Sequence, residues 1–292
     1  MFKRFFSVLI ILLAVGIAII FRPELENIFL QSKNKLADFS SGTLGNIVEN
    51  IEDNVSTPPP LRHADSDSLG NLTQSGTINL TNAERKNNGG LGVLSENSKL
   101  DQAATLKAKD ILAKQYFDHI SPDGKGPTDL AKNVNYDYIA IGENLALGGF
   151  ASDKELVDAW MASPGHRENI LNKAYTEIGV AVVKGIYEKQ EVWVAVQEFG
   201  TPTAVCPQVD ETLKAQIDAS QKQIDSLLQT LNATRKELTS SSAKTNSDYS
   251  GQVSAYNKLV ADYNSLTDKT KVLVEKYNSQ VNNLNDCIKK YK

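Results

Sequence analysis

Two stretches in the middle of the chain, TEIGVAVVKG (176–185) and EVWVAVQEFG (191–200), constrain its fold more than anything else in it. In the second, Val192, Val194 and Val196 fall on one side of an extended chain and Trp193, Ala195 and Phe199 on the other. Successive strand residues point to opposite faces, so a strand that is apolar on both needs cover on both. The covers are present in the sequence. SKLDQAATLKAKDILAKQYF opens with Ser98 and Asp101 in capping-box spacing and gathers Leu100, Ala104, Ala108, Ile111 and Leu112 on one helical face. SDKELVDAWMAS repeats the device, with Ser152 and Glu155 at the cap and Leu156, Val157, Trp160 and Met161 facing inward. The expected architecture is α+β: a three-layer α-β-α sandwich spanning residues 76–201.

The flanks read differently. Phe5 to Phe21 is an uncharged, almost wholly apolar run behind Lys3 and Arg4. About 20 apolar residues span a bilayer, with about 17 at the short end, and early positive charge keeps an N-terminus in the cytoplasm. Residues 1–22 are therefore expected to form a transmembrane signal anchor, with a cleaved signal peptide as the alternative. Both place the remainder outside the cytoplasm. Residues 23–75 read as a linker with short amphipathic helices in FLQSKNKLADF and LGNIVENIEDNV. Its last part, STPPPLRHADSDSLGN, is expected to be extended and solvated, His63 included.

Beyond the sandwich, residues 202–292 carry heptad seams. Leu213, Ile217, Ser220, Ile224, Leu227, Leu231, Thr234 and Leu238 alternate at four- and three-residue spacing, and the pattern resumes from Val253 to Tyr291. The Ser/Asn-rich break between them predicts a turn, so the expectation is an antiparallel coiled-coil hairpin. Self-association through the seam is the alternative. The chain has two cysteines, Cys206 and Cys287, and their midpoint falls inside the break. An antiparallel hairpin brings them together at its base as an intrachain disulfide; a parallel dimer would pair them between chains.

The formal net charge is −4 at pH 7, and no Lys/Arg-rich block occurs outside the extreme N-terminus. That argues against a nucleic-acid binder, which needs a basic surface. The globular part holds two histidines, His119 in YFDHISPDG and His166 in WMASPGHRENILN, with Glu143 between Gly142 and Asn144 in IGENLALGG. Two imidazoles and a carboxylate can bind a divalent metal or act as an acid–base set; equally, each can be a structural hydrogen-bonding residue. The sequence has no HExxH, GxSxG, P-loop or dinucleotide-binding glycine pattern, and the domain has no cysteine nucleophile. Pro164 suits a helix's first turn, Gly165 permits close backbone approach, and a helix N-terminus would favour neutral His166.

YFDHISPDG, GENLA, W(x)5GHRENILN followed by TEIGVAVV, and the final WVAVQEFG together resemble the CAP superfamily of cysteine-rich secretory, antigen 5 and pathogenesis-related proteins. Their order and spacing are most similar to its bacterial SCP-like extracellular branch. The resemblance covers residues 76–201. It implies the α-β-α sandwich again, with a shallow cleft where His119, Glu143 and His166 converge on a divalent metal such as zinc. In animal and plant relatives a second glutamate follows the tryptophan as W-x-x-E. Here Ser163 stands in its place, and Glu168 is the available substitute. The implied function is a membrane-anchored binding module for an envelope lipid, glycan or protein. The alternatives are a metal-assisted, peptidase-like hydrolase with Glu143 as general base, and a coiled-coil spacer or adhesion protein with a passive head.

Overall fold

The computed structural model describes residues 55–64, 69–88, 90–239 and 248–291. The expected anchor over 1–22 and the amphipathic helices after it lie outside the described residues, apart from Val55. Among the described residues no helix is long and apolar enough to cross a membrane.

The sandwich forms as its strand chemistry demands. Its sheet is built on three long strands, β4 (Tyr138–Gly148), β5 (Glu177–Tyr187) and β6 (Gln190–Pro202), with β6 in the middle, antiparallel to both neighbours. Three short strands complete the edges in parallel: β1 (Val55–Ser56) and β2 (Leu61–Arg62) on β4, and β3 (Ser95–Glu96) on β5. On one face Val192, Val194 and Val196 pack with Ala104, Ala108 and Ile111 of α2 (Ser98–Lys114). On the other, Trp193, Ala195 and Phe199 pack with Ile78 of α1 (Gln74–Asn87), Trp160 of α4 (Asp153–Ala162) and Ile170 of α5 (Pro164–Ile170). A short helix, Pro127–Asn133 (α3), lies against α2 and β4. The Ser152 side chain caps α4 by accepting from the Glu155 N–H, as its spacing predicts. At α2 the cap is instead Asn97, one residue earlier than expected, and Asp101 accepts from the Val180 N–H of β5.

The segment expected to be a solvated linker is part of the sheet. β1 pairs with Ile141–Gly142 and β2 with Ala146–Leu147, both on the edge of β4 that faces away from β6. Prolines 58–60 lack N–H groups and cannot donate to a ladder. The chain therefore arches off the edge opposite Glu143, Asn144 and Leu145 and rejoins it at Leu61. His63 is likewise not free. Its ring stacks on Phe150 with centroids 4.6 Å apart and its Nε2 lies 3.2 Å from Glu155 Oε1. The local composition of this stretch is a linker's; its pairing is decided by an edge more than 70 residues downstream.

The C-terminal unit consists of α6 (Glu211–Thr239) and α7 (Tyr249–Ile288). Leu213 and Ile217 from the start of α6 share a cluster with Tyr277 and Val281 near the end of α7, while Leu231 and Leu238 share one with Tyr256 and Val260. The two helices are therefore antiparallel, with Leu213, Ile217, Ile224, Leu231 and Leu238 of the seam buried and Ser220, Leu227 and Thr234 partly so. Cys206 and Cys287 form one disulfide within the chain, Cα atoms 5.7 Å apart.

Candidate functional site

β4 and β6 carry two polar pairs side by side in an otherwise apolar sheet. In the antiparallel ladder Glu143 faces Glu198 and Asn144 faces Gln197. All four are fully buried. Strand alternation puts the amides on the α1/α4/α5 side, where Asn144 Nδ2 donates to Gln197 Oε1 at 3.0 Å and to the His166 carbonyl at 3.2 Å. The carboxyls are on the α2 side. There desolvation, reinforced by the Glu143 carboxylate, pushes the Glu198 pKa well above the ordinary carboxylate range, and Lys107 opposes the shift. Burial therefore favours the protonated form of Glu198.

His119 stands in the loop after α2. Buried Lys107 fixes that loop by donating from Nζ to the His119 carbonyl at 2.6 Å, and desolvation lowers the Lys107 pKa despite Glu143 and Glu198 nearby. The His119 ring joins the acid pair to the arch: Nδ1 lies 2.6 Å from Glu143 Oε1 and Nε2 lies 2.5 Å from the Pro58 carbonyl oxygen. A carbonyl only accepts, so Nε2 carries a proton and donates. Whether the ring or the carboxyl holds it, a second proton lies on the line between Nδ1 and Oε1.

His166 belongs to α5, which follows α4 with only Ser163 between them. Pro164 occupies the first turn as expected. Gly165 is needed for space: a Cβ there would sit 2.7 Å from Pro58 Cβ. The His166 ring is buried, with Nδ1 2.8 Å from Ser163 Oγ and no hydrogen bond at Nε2. Its pKa is pushed down to about 4, first by burial and then by His119, with the Leu145 main chain acting in the opposite sense. Desolvation, rather than the helix dipole expected from the sequence, leads the causes that keep the imidazole neutral. Asn169, also on α5, ties the elements together, its Nδ2 lying 3.0 Å from Asn144 Oδ1, 3.3 Å from the Glu143 carbonyl and 3.2 Å from the Ser56 carbonyl.

Residues 78–199 match the family model described as "CAP: Cysteine-rich secretory protein family". They are a CAP domain. Over 122 residues the chain is 42% identical to uncharacterized protein YkwD of Bacillus subtilis (strain 168), covering 42% of this chain and 44% of that one. Over 110 residues it is 30% identical to uncharacterized membrane protein YlbC of the same organism, covering 38% and 31%. The chain thus spans less than half the length of either relative. Among solved structures, an extracellular protein containing a SCP domain from Bacillus anthracis str. Ames is 28% identical with TM-score 0.38, over 44% of this chain and 39% of that one. An outer surface protein from Borrelia burgdorferi is 22% identical with TM-score 0.38, over 43% and 89%.

Of the residues singled out in the sequence, the CAP domain brings His119 and Glu143 into direct contact and sets Asn144 on the opposite face of the same strand. Ser163 does not leave a gap where a glutamate is missing; it fixes the His166 ring. Glu168 does not substitute for that glutamate, being exposed on the outer side of α5. Among the described residues no three His, Cys, Asp or Glu side chains are placed to hold a metal ion, and both His119 nitrogens are engaged. This arrangement does not fit the divalent metal that the resemblance implies. Three contributors escaped the sequence reading. Glu198 left one signal, a QE pair breaking an apolar strand. Lys107 left another, a lysine on the apolar face of its helix. Pro58 left none.

Proposed function

We propose that the protein is an extracytoplasmic, membrane-anchored CAP-domain binding module that takes its ligand at the His119 edge of β4. One observation carries the reading. The donor that the site directs outward, His119 Nε2, meets an uncharged carbonyl, while the acids behind it, Glu143 and Glu198, have no solvent exposure. A hydrolase must bring a base or nucleophile to water or substrate; here Glu143 instead holds the imidazole in place and sets its proton. The apolar run from Phe5 to Phe21 supports the anchored, exported location, as do the disulfide and a relative described as a membrane protein.

The test is retention of the full chain on isolated cell-envelope material, alongside turnover of a peptide and ester panel. His119→Ala should lose retention, and Glu143→Gln should weaken it while the fold persists. Retention unchanged in His119→Ala rejects the site. The carboxylate-backed imidazole is also the arrangement of an acid–base pair, and turnover abolished by Glu143→Gln would establish the hydrolase reading in place of the binding one. A divalent ion would have to compete with the Pro58 carbonyl for His119 Nε2, so zinc titration of the full chain is expected to show no stoichiometric site.

A further inference from the structure

The arch formed by residues 57–60 lies across the site, and the way it is held describes a ligand. Main-chain groups do most of the holding. The Pro58 carbonyl accepts from His119, the Ser56 carbonyl accepts from Asn169, and the flanking dipeptides add to β4 as parallel edge strands. The one buried side chain of the arch is Pro58, beside Gly165; Thr57 and Pro59 are exposed. Main-chain recognition with a single side-chain niche is how a sheet edge binds an extended peptide. Proline suits it because its fixed φ loses little freedom on binding. The hold is also short. Each flanking strand has two residues, and elements with so few ladder bonds open locally well below the free energy of global unfolding.

We propose that this edge of β4 is a polypeptide-binding site, closed in cis by residues 55–62. Its ligand in trans is an extended, proline-containing segment of another exported protein, running parallel to β4. The proline ring enters the Gly165 niche and its carbonyl meets His119 Nε2. The inference rests on the binding-module reading and names the ligand class. The tether makes the cis segment a strong competitor, since a short linker gives an effective concentration of about millimolar. The trans affinity is therefore masked until the arch is displaced.

The probe is a fluorescein-labelled peptide of sequence NVSTPPPLRH, titrated into the full chain by anisotropy. Pro58→Gly with Leu61→Asp weakens the cis segment and leaves the groove intact. This variant should bind the peptide about tenfold or more tighter than wild type, because apparent affinity scales with the open fraction. Adding Gly165→Ala should remove that gain. In the wild-type chain, excess peptide should speed hydrogen exchange at the amides of Val55, Ser56, Leu61 and Arg62. The proposal is overturned if the double variant exchanges freely at 55–62 yet binds the peptide no better than wild type. If that variant does not fold, the wild-type exchange decides: amides unmoved by saturating peptide make the segment a permanent strand. Should the double variant ignore the peptide but retain envelope lipid or glycan in a His119-dependent way, the ligand class fails and the binding module stands. Turnover abolished by Glu143→Gln would remove both.

Discussion

Lowering the pH should destabilise the CAP domain through His166, and the structure gives the size of the effect. The imidazole is buried, short of a partner at Nε2 and close to His119, so its pKa falls from 6.5 to about 4. In the unfolded chain the ring recovers its ordinary value. Between these two values the unfolded state binds a proton that the folded state refuses, so stability falls as pH drops through the window and levels off below about 4. At about 1.36 kcal/mol for each pH step of one, the full loss is about 3 kcal/mol, of which about 2 kcal/mol is reached by pH 5. That is a large share of the ~5–15 kcal/mol typical of a domain. Other groups titrate in the same range, so the informative quantity is a difference. Urea unfolding of wild type and His166→Gln at pH 7.5, 6, 5 and 4 should give curves that approach one another by that amount toward low pH. His119→Gln should move the His166 titration upward, because His119 is the second cause of the depression. Stability curves that run parallel from pH 7.5 to 4 would refute the assignment of a neutral, desolvated His166.

Glu198→Gln keeps the shape of the protonated acid and removes its ability to ionise opposite Glu143. It should raise the unfolding midpoint, more at pH 8 than at pH 5, because a carboxyl with an elevated folded pKa loses stability as pH rises; equal gains at both would count against the raised Glu198 pKa. Ser163→Ala deprives the His166 ring of its Nδ1 partner and should cost about 1 kcal/mol by denaturant titration, while Ser163→Thr should keep most of it. Reducing the Cys206–Cys287 bond releases residues 81 apart in sequence. The chain-entropy relation puts that at about 4.5 kcal/mol, read as a lower urea midpoint in reductant, and non-reducing electrophoresis should show a monomer.

What the sequence made legible follows from the range of the forces involved. Periodicity is local, so the two-faced strand at Val192–Phe199, the α4 cap at Ser152 and the seam from Leu213 to Leu238 were readable from spacing. The disulfide was readable because a hairpin is a local rule that brings Cys206 and Cys287 together. His119, Glu143 and His166 emerged through motif resemblance; neither histidine's neighbours say which way its ring points. Register was out of reach. Nothing near Glu198 in the chain shows that it lies opposite Glu143, and a one-residue slip of β6 would put Gln197 there instead. The proline triplet gives a harder case, since the missing N–H groups that suit it to a linker also let the chain leave β4 for the four residues 57–60 and rejoin.

Ser163 and Pro58 together change what the missing glutamate means. Read as a motif, a serine at that position is a loss. In the structure its hydroxyl orients His166, and the adjoining Gly165 makes room for a proline ring, so this corner of the cleft is adapted to a chain segment. His119 completes the point. With a carboxyl on Nδ1, its Nε2–H must have an acceptor, and a buried donor left unmade costs about 1–3 kcal/mol. A ligand that covers the site in place of the arch without an acceptor there therefore incurs that cost at His119, whose one outward donor faces the Pro58 carbonyl. Asn169 would lose the Ser56 carbonyl but keep Asn144 Oδ1 and the Glu143 carbonyl. An extended polypeptide offers a carbonyl to each of the two residues at the spacing the arch already uses, which is why the groove favours a backbone over a lipid chain.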